Sequence, residues 1–214
     1  MGETGVATGA GDALRRTMVE RQLRTFDVTD LAVLSAFDAV AREAYVGPHY
    51  AGVAYSDRAL PCVGGKRRLM SPMTLARLIQ EADVGPDNVV LDVAGGAGYS
   101  AAVLARLARK VVALETEAPT LATGATVVVG PLAAGAPAHA PYDVIVINGV
   151  VEKRPEALLS QLAEGGRLVC FERSGAASRA VRYDRFGDDW SRRTLFNAAA
   201  PTVEEFRAEP GFVF

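Results

Sequence analysis

The sequence predicts an α/β protein in which a mostly parallel sheet is covered by helices on both faces. The main observation is segment 89–115, where an apolar run, a glycine-rich turn, a helical pattern and a second apolar run end in an acid. Strand-like and helix-like segments go on alternating downstream, which is typical of parallel sheets. Two alternating segments around Gly187-Asp188-Asp189 predict an antiparallel C-terminal hairpin.

The N-terminal part reads as a helical extension. Amphipathic helices are predicted over Asp12–Arg24 and Asp30–Val40, with Asp30 as an N-cap whose carboxylate accepts a free backbone N–H. After an irregular segment, Ser71-Pro72 opens a third helix, because serine caps helices and proline suits their first turn. The resulting domain prediction is a flexible tail (1–11), an N-terminal helical extension (12–62) and a larger domain (63–214).

The larger domain has the order expected of a Rossmann-like, doubly wound sheet. Its predicted strands are Val89–Val93, Val111–Leu114, Thr126–Val129, Tyr142–Ile147 and Arg167–Phe171, its helices Ala101–Ala108 and Glu156–Ala163, and its hairpin Arg179–Arg185 with Arg192–Phe196. Only ten residues, Thr116–Ala125, join the second strand to the third. Since a crossover helix usually needs more, we expect a thinly covered sheet edge, and with it a partner subunit or a looser pocket.

Composition narrows the class of protein. The 214 residues carry a net charge of −2, which argues against a general binder of nucleic acids. No apolar run has the length needed to span a membrane, and the start of the chain lacks the pattern of a signal peptide. Cys62 and Cys170 lack the spacing of metal ligands and are expected to be buried thiols in a reducing cytoplasm.

The glycine-rich turn, Asp92-Val93-Ala94-Gly95-Gly96-Ala97-Gly98, is the strongest functional signal. Glu115 follows Asp92 by 23 residues, close to the spacing at which a carboxylate meets a ribose in dinucleotide folds. An acid inside the turn would repel a pyrophosphate but attract an amino group. The turn resembles the Asp-x-Gly-x-Gly-x-Gly motif of class I methyltransferases that use S-adenosyl-L-methionine, with Ala94 at the first glycine. The alternative is a turn without a ligand.

This interpretation gives each candidate residue a role. Asp92 and the glycines would frame the methionine part of the cofactor, Glu115 the ribose, and Asn148 the methyl donor. The predicted cofactor-binding residues are Asp92, Ala94, Gly95, Gly96, Gly98, Tyr99, Glu115, Gly130, Pro131 and Asn148. No metal site is predicted.

Other segments extend the resemblance to one family, the protein-L-isoaspartate O-methyltransferases. Val40-Ala41-Arg42-Glu43-Ala44-Tyr45-Val46 is similar to its Val-Pro-Arg-Glu-x-Phe-Val segment, and Ala54-Tyr55-Ser56-Asp57 to its Ala-Tyr-x-Asp. Gln161-Leu162-x-x-Gly165-Gly166-Arg167-Leu168-Val169 matches a later strand. The resemblance covers about Thr17–Phe171 and implies methyl esterification of L-isoaspartyl residues in damaged proteins, with S-adenosyl-L-methionine as cofactor.

The chain departs from that family at two places. Aligned on Pro72, Met70 falls where the family has its catalytic serine, and Ser71 follows one place later. Ser71 is therefore the predicted catalytic residue, with simple capping as the alternative. Gly130-Pro131 replaces a Gly-Asp pair whose acid meets the adenine in the family.

Three functions stay open at this point. The first is isoaspartyl repair, with an isoaspartyl peptide or protein as partner, a cytoplasmic location and a homodimer as one possible assembly. The second is methylation of another carboxylate or a small metabolite, which Met70 and the basic Lys66-Arg67-Arg68 segment favour; that segment could bind an anionic substrate or be a solvated loop. The third is a binding or scaffold protein that has lost catalysis.

Overall fold

The computed structural model describes residues 6–208 except 66, 120, 122 and 176. Its helices are α1 (Val6–Met18), α2 (Leu31–Ala39), α3 (Pro72–Ala82), α4 (Tyr99–Leu104) and α5 (Glu156–Leu159). Its strands are β1 (Leu60–Pro61), β2 (Arg68–Leu69), β3 (Val89–Val93), β4 (Lys110–Glu115), β5 (Thr126–Val129), β6 (Tyr142–Val151), β7 (Leu162–Ser174), β8 (Ala177–Phe186) and β9 (Asp189–Asn197).

Strands β3 to β9 form one sheet in the order β5-β4-β3-β6-β7-β8-β9. Neighbours from β5 to β7 are parallel, and β8 and β9 add antiparallel pairs at one edge. The predicted fold is therefore confirmed, including the C-terminal hairpin. The chain runs outward from β3 to β5 and then returns to β6 on the other side of β3. This reversal creates a switch point, where open α/β sheets bind ligands beyond the carboxyl ends of their strands.

The apolar core lies on both faces of the sheet. Successive β3 residues point in opposite directions, so Val90 packs in one core cluster and Leu91 in the other. The first cluster includes side chains of the N-terminal helices and α4, such as Phe37 and Tyr99, and the second includes Leu158 of α5. Burial of both faces explains why β3 is nearly all apolar.

Both predicted N-caps are confirmed. Asp30 accepts hydrogen bonds from the backbone N–H groups of Ala32 and Val33, and Ser71 accepts one from Thr74. Each bond satisfies a backbone donor that the first helical turn leaves without a partner. Ser71 thereby positions α3 directly after β2.

Several element boundaries differ from the sequence-based prediction: strands β6 to β9 are longer than predicted, and three helices have different ends. Helix α1 begins at Val6, within the predicted tail, and is continued by a π-type turn over Val19–Leu23. Helix α4 ends at Leu104, and α5 ends at Leu159 where we predicted Ala163. The early end of α5 has a clear cause: Leu162 joins β7 beside Tyr142, whose N–H donates to the Gln161 carbonyl at 2.9 Å.

The connection from β4 to β5 is as short as predicted. Among its described residues, which exclude 120 and 122, none belongs to a helix. Beyond it, β5 forms the sheet edge and leaves Val127 and Val129 42% and 56% exposed. Cys62 and Cys170 are buried free thiols, and no described His, Cys, Asp and Glu residues cluster as metal ligands. None of the helices in the described ranges combines the length and apolar character needed to cross a membrane.

Candidate active site

A cavity of about 570 Å³ opens at the carboxyl ends of β3, β4 and β6. Three parts of the chain surround it: the β1–β2 hairpin, the turn after β3 with the segment after β4, and a C-terminal segment. Its lining comprises Val63, Gly64, Gly65, Arg67, Arg68, Ala94, Gly96, Ala97, Glu115–Pro119, Asn148 and Pro201–Glu205. This volume is in the usual range for small-molecule sites, about 300–1,000 Å³.

The glycine-rich turn is packed too tightly for side chains at all three of its glycines. A Cβ on Gly95 would lie 2.5 Å from an oxygen of Asp92 and 2.5 Å from the Ser100 hydroxyl. A Cβ on Gly96, where φ is +67°, would lie 2.6 Å from the Cys62 sulfur. Gly98 ends the turn at the N-cap of α4, where φ is +95° and a Cβ would clash with the Thr123 side chain. The glycines therefore allow the backbone to pass close to the β1–β2 hairpin.

Ala94 begins the turn in a conformation that favours glycine. Its φ is +62°, in the left-handed region, where an alanine Cβ is strained. It lines the cavity, and its N–H donates to the Leu114 carbonyl at 3.1 Å. That hydrogen bond to β4 holds the residue in place despite the strain.

Asp92 is buried beneath the glycine-rich turn and forms hydrogen bonds with side chains on either side of it. Its side chain is 1% exposed, and its two oxygens accept hydrogen bonds at 2.7 Å from the Ser100 hydroxyl and the Asn148 amide. Burial raises the pKa of Asp92 to about 7, although both hydrogen bonds oppose the shift. Asn148 donates a second bond to the Val93 carbonyl at 2.9 Å and lines the cavity. Asp92 thus fixes the orientation of Asn148 without reaching the cavity itself.

Glu115, at the end of β4, is the buried acid of the cavity. The side chain is 5% exposed, and one oxygen accepts from the Gly96 N–H at 2.5 Å. The other oxygen accepts from the Arg67 Nε at 2.8 Å and from the Thr116 N–H at 3.2 Å. Glu115 therefore contacts the glycine-rich turn directly, through the Gly96 N–H.

Arg67 connects Glu115 to the C-terminal segment. Its two terminal nitrogens form a fork with the Glu205 carboxylate, at 2.7 and 3.3 Å. The Arg67 side chain is 18% exposed, so it is held in the cavity and is not part of a solvated loop. Arg68 is exposed and donates to the Ala59 carbonyl, while Lys66 lies outside the described residues.

The C-terminal segment 201–206, called the strap below, was missed by sequence reasoning. Val150 donates to the Pro201 carbonyl at 2.7 Å, and Val203 donates back to the Val150 carbonyl at 3.0 Å. Val203 and Phe206 are buried, which anchors the strap beside the end of β6. The sequence signal that could have indicated this contact is the pair Val203 and Phe206, two apolar residues three positions apart in an otherwise polar segment.

The remaining candidates are not among the described lining residues of the cavity. Ser71 is 8% exposed and its hydroxyl is bonded to Thr74, and Met70 beside it is 2% exposed. Tyr99 is buried in the core against Phe37 and Tyr45. Gly130 and Pro131 follow β5 and are not among the described residues of the lining. Of the ten predicted cofactor residues, the described lining contains Ala94, Gly96, Glu115 and Asn148.

Comparisons with known proteins point to one family. The family model of Protein-L-isoaspartate(D-aspartate) O-methyltransferase matches residues 15–195. A protein-L-isoaspartate O-methyltransferase of Methylorubrum populi is 38% identical over 168 residues, covering 74% of this chain and 79% of the relative. One of Bordetella parapertussis is 40% identical over 199 residues, covering 86% and 75%.

Two solved structures share the fold. One protein-L-isoaspartate O-methyltransferase matches with a TM-score of 0.75 and 22% identity, covering 88% of this chain and 65% of that one. A Plasmodium falciparum beta-aspartate methyltransferase, solved with S-adenosyl-L-homocysteine, matches with a TM-score of 0.74 and 15% identity, covering 89% and 98%. The family match and the identities of the curated relatives settle the classification: the chain belongs to the protein-L-isoaspartate O-methyltransferase family.

Proposed function

We propose that the protein is an S-adenosyl-L-methionine-dependent carboxyl O-methyltransferase that esterifies L-isoaspartyl residues of damaged proteins. One observation carries the proposal: in a chain of this family, a buried acid at the end of β4 meets the glycine-rich turn at the edge of a ligand-sized cavity. The following backbone nitrogen attacks the carbonyl carbon of the methyl ester, methanol leaves with the nitrogen's proton and a succinimide forms, which is the repair step; a free carboxylate has no comparable leaving group.

The charges of the lining suit this cofactor. The described lining contains the carboxylates of Glu115, Glu117, Glu204 and Glu205 against the guanidinium groups of Arg67 and Arg68. An excess of negative charge favours a sulfonium with an amino group and disfavours a pyrophosphate. Glu115 is the residue proposed to accept hydrogen bonds from the ribose hydroxyls.

The reaction requires alignment more than acid–base chemistry. The bound cofactor supplies a methyl group on a positively charged sulfur, and a carboxylate is already ionised at pH 7. The protein must therefore hold the two reacting groups in line and exclude water. We propose that Asn148, fixed by Asp92, lies beside the methyl donor, and that the strap and the β1–β2 hairpin close the cavity around the acceptor.

Ser71 stays the proposed residue for orienting the acceptor carboxylate, with capping of α3 as the alternative. Its hydrogen bonds to Thr74 support the capping role. Replacing Ser71 with alanine discriminates between the two. A large fall in turnover supports substrate contact, whereas a wild-type rate with a stability loss of about 1 kcal/mol leaves only the cap.

Two observations favour other functions. Met70 in place of the expected serine, together with Arg67 in the cavity, favours a different carboxylate or a small metabolite as acceptor. The strained Ala94 favours a binding or scaffold protein without catalysis. Methyl transfer to an isoaspartyl peptide but not to its aspartyl twin would support repair, and cofactor binding without such transfer would support the other acceptors.

The first experiment is titration calorimetry with S-adenosyl-L-homocysteine. The wild type should bind with micromolar or tighter affinity, and Glu115→Ala should weaken binding at least tenfold because the ribose loses its acceptor. Glu156→Ala, at an exposed acid outside the cavity, is the matched control and should bind as wild type. A folded wild type that does not bind would favour the scaffold function.

We also propose a cytoplasmic location and a homodimer. Two buried free thiols fit a reducing compartment. The exposed Val127 and Val129 on edge strand β5 support a second copy as partner there, and a net charge of −2 gives no support for nucleic acid. Sedimentation that shows a strict monomer would count against the dimer.

A further inference from the structure

The carboxylate of Glu115 is almost fully engaged by the protein itself. A carboxylate offers about four acceptor positions, two on each oxygen. One oxygen is used by Arg67 and Thr116, and the other by Gly96. About one position is then left, whereas two ribose hydroxyls need two. Of the three donors, the N–H groups of Gly96 and Thr116 belong to the backbone, so the Arg67 side chain is the one that can leave.

Arg67 has a second carboxylate to hold it. Its Nε bonds Glu115, while its terminal nitrogens bond both oxygens of Glu205. A forked arginine–carboxylate pair is among the stronger polar contacts, and it uses nitrogens other than the one on Glu115. Arg67 can therefore give up Glu115 without losing its ion pair with Glu205.

Glu205 is on a part of the chain that is itself fixed. The strap is bonded to β6 through Val150 and buries Val203 and Phe206. Glu205 lies 138 residues from Arg67 in sequence, so the pair joins the β1–β2 hairpin to the C-terminal segment across the cavity. Arg67, Glu115 and Glu205 all line that cavity.

We propose that Arg67 is a competitive latch on the cofactor site, shared between two carboxylates. It occupies Glu115 in the free protein and passes to Glu205 alone when ribose hydroxyls take its place. The proposal rests on the proposed function, because it takes Glu115 as the ribose acceptor. It gives this chain two residues, Arg67 and Glu205, that set cofactor affinity in opposite directions.

The two single substitutions have opposite expected effects. Arg67→Gln removes the competitor, so S-adenosyl-L-homocysteine should bind about tenfold more tightly. Glu205→Gln leaves Glu115 as the remaining ionic partner of Arg67. When the ribose displaces Arg67 from Glu115, the half-buried guanidinium then has no carboxylate to pair with, so the affinity for S-adenosyl-L-homocysteine should fall about fivefold. The double variant should resemble Arg67→Gln, since Glu205 acts only through Arg67.

Matched controls come from an exposed ion pair that is not part of the cavity lining. Arg24→Gln removes the same charge as Arg67→Gln, and Glu20→Gln removes the same charge as Glu205→Gln, from an arginine–glutamate pair on the surface. Both should bind within about twofold of wild type. Titration calorimetry with S-adenosyl-L-homocysteine is the measurement, with thermal melts to verify folding. Arg67→Met serves as a second variant and should also tighten binding.

The titrations test the proposed latch and the proposed function separately. Tighter binding by both Arg67 variants and weaker binding by Glu205→Gln would support the latch, even if isoaspartyl peptides were not methylated. Binding by Arg67→Gln and Arg67→Met that equals or falls below that of an active wild type would overturn the latch and leave the proposed function standing. Absence of binding in every folded variant would overturn both.

Discussion

Ala94 stands at the one position of the turn where a side chain is strained by its backbone. A φ of +62° costs alanine about 1–2 kcal/mol relative to its ordinary conformations. Glycine relieves this strain in the folded protein. It also has more conformational freedom in the unfolded chain, which reduces the gain in stability by about 0.5–1 kcal/mol. We predict that Ala94→Gly raises the free energy of unfolding by about 0.5 kcal/mol, measured by urea denaturation without ligand.

A matched substitution tests whether the backbone is the cause. Ala102, in helix α4, is buried but has no left-handed φ. Ala102→Gly should destabilise the protein by about 1 kcal/mol, since glycine is unfavourable in a helix. Equal losses at both positions would contradict the strain at Ala94.

Asp92 is a buried acid whose pKa, about 7, lies above its ordinary value of 3.8. Between these two values the folded protein holds a proton that the unfolded chain has lost. The group's contribution to stability is therefore complete below about pH 4 and is lost as the pH rises through 7. Asp92→Asn keeps an acceptor for Asn148 and can donate to Ser100, but it does not ionise.

We predict that Asp92→Asn is more favourable to stability at pH 8 than at pH 5. The measurement is the melting temperature of both proteins at the two values, relative to Asp87→Asn, a change at an exposed acid. A difference between Asp92→Asn and wild type that is the same at both pH values would show that Asp92 does not titrate in this window.

The strap depends on a close contact with β6. A Cβ on Gly149 would lie 2.4 Å from the Pro201 carbonyl oxygen and 2.8 Å from Val203. We predict that Gly149→Ala displaces the strap and speeds hydrogen exchange at the Val150 and Val203 amides about tenfold or more. Exchange in β3 should stay unchanged, because that strand lies in the centre of the sheet.

Gly85→Ala is the control for this substitution. Its Cβ would be 3.8 Å from an Asn88 oxygen, an ordinary contact, and it lies in the turn before β3. Exchange at Val150 and Val203 should match the wild type. Unchanged exchange in Gly149→Ala would mean that the strap is not held by this contact.

Arg42 joins the N-terminal extension to the rest of the molecule. The side chain is fully buried, where burial lowers the pKa of its guanidinium. It donates to the carbonyls of Ala54 at 2.9 Å and Met70 at 2.8 Å, and it lies 5.0 Å from the Tyr99 ring. These contacts bind the loop before β1, the segment that follows β2 and helix α4 to one another.

We predict that Arg42→Ala lowers the free energy of unfolding by about 3 kcal/mol, since it strands buried carbonyls and opens a cavity. The melting temperature should fall by about 6–12 °C. Arg24→Ala, at an exposed arginine that pairs with Glu20, should cost about 0.5 kcal/mol or less. Similar losses in both variants would contradict a structural role for Arg42.

Much of the architecture could be predicted from local patterns. The apolar runs, the Asp30 and Ser71 caps and the Gly187 hairpin turn each depend on neighbours in sequence, and all are present. The differences lie at element ends, among them those of α1, α4 and α5, and at α5 pairing in the sheet overrides the periodic pattern. Leu162 is such a case, because its pairing with Tyr142 in the sheet ends the helix early.

The candidate site also has a part that could be predicted from local sequence and a part that could not. The spacing of Asp92, the glycines and Glu115 follows from a strand, a turn and a second strand, so it is encoded locally and was readable in the chain. The partners of these residues were not readable, because they come from segments far apart in sequence. Only the tertiary packing brought Asp92 to Asn148 across 56 residues, joined Arg67 to Glu205 across 138 residues and placed the strap and Asn148 around the same cavity.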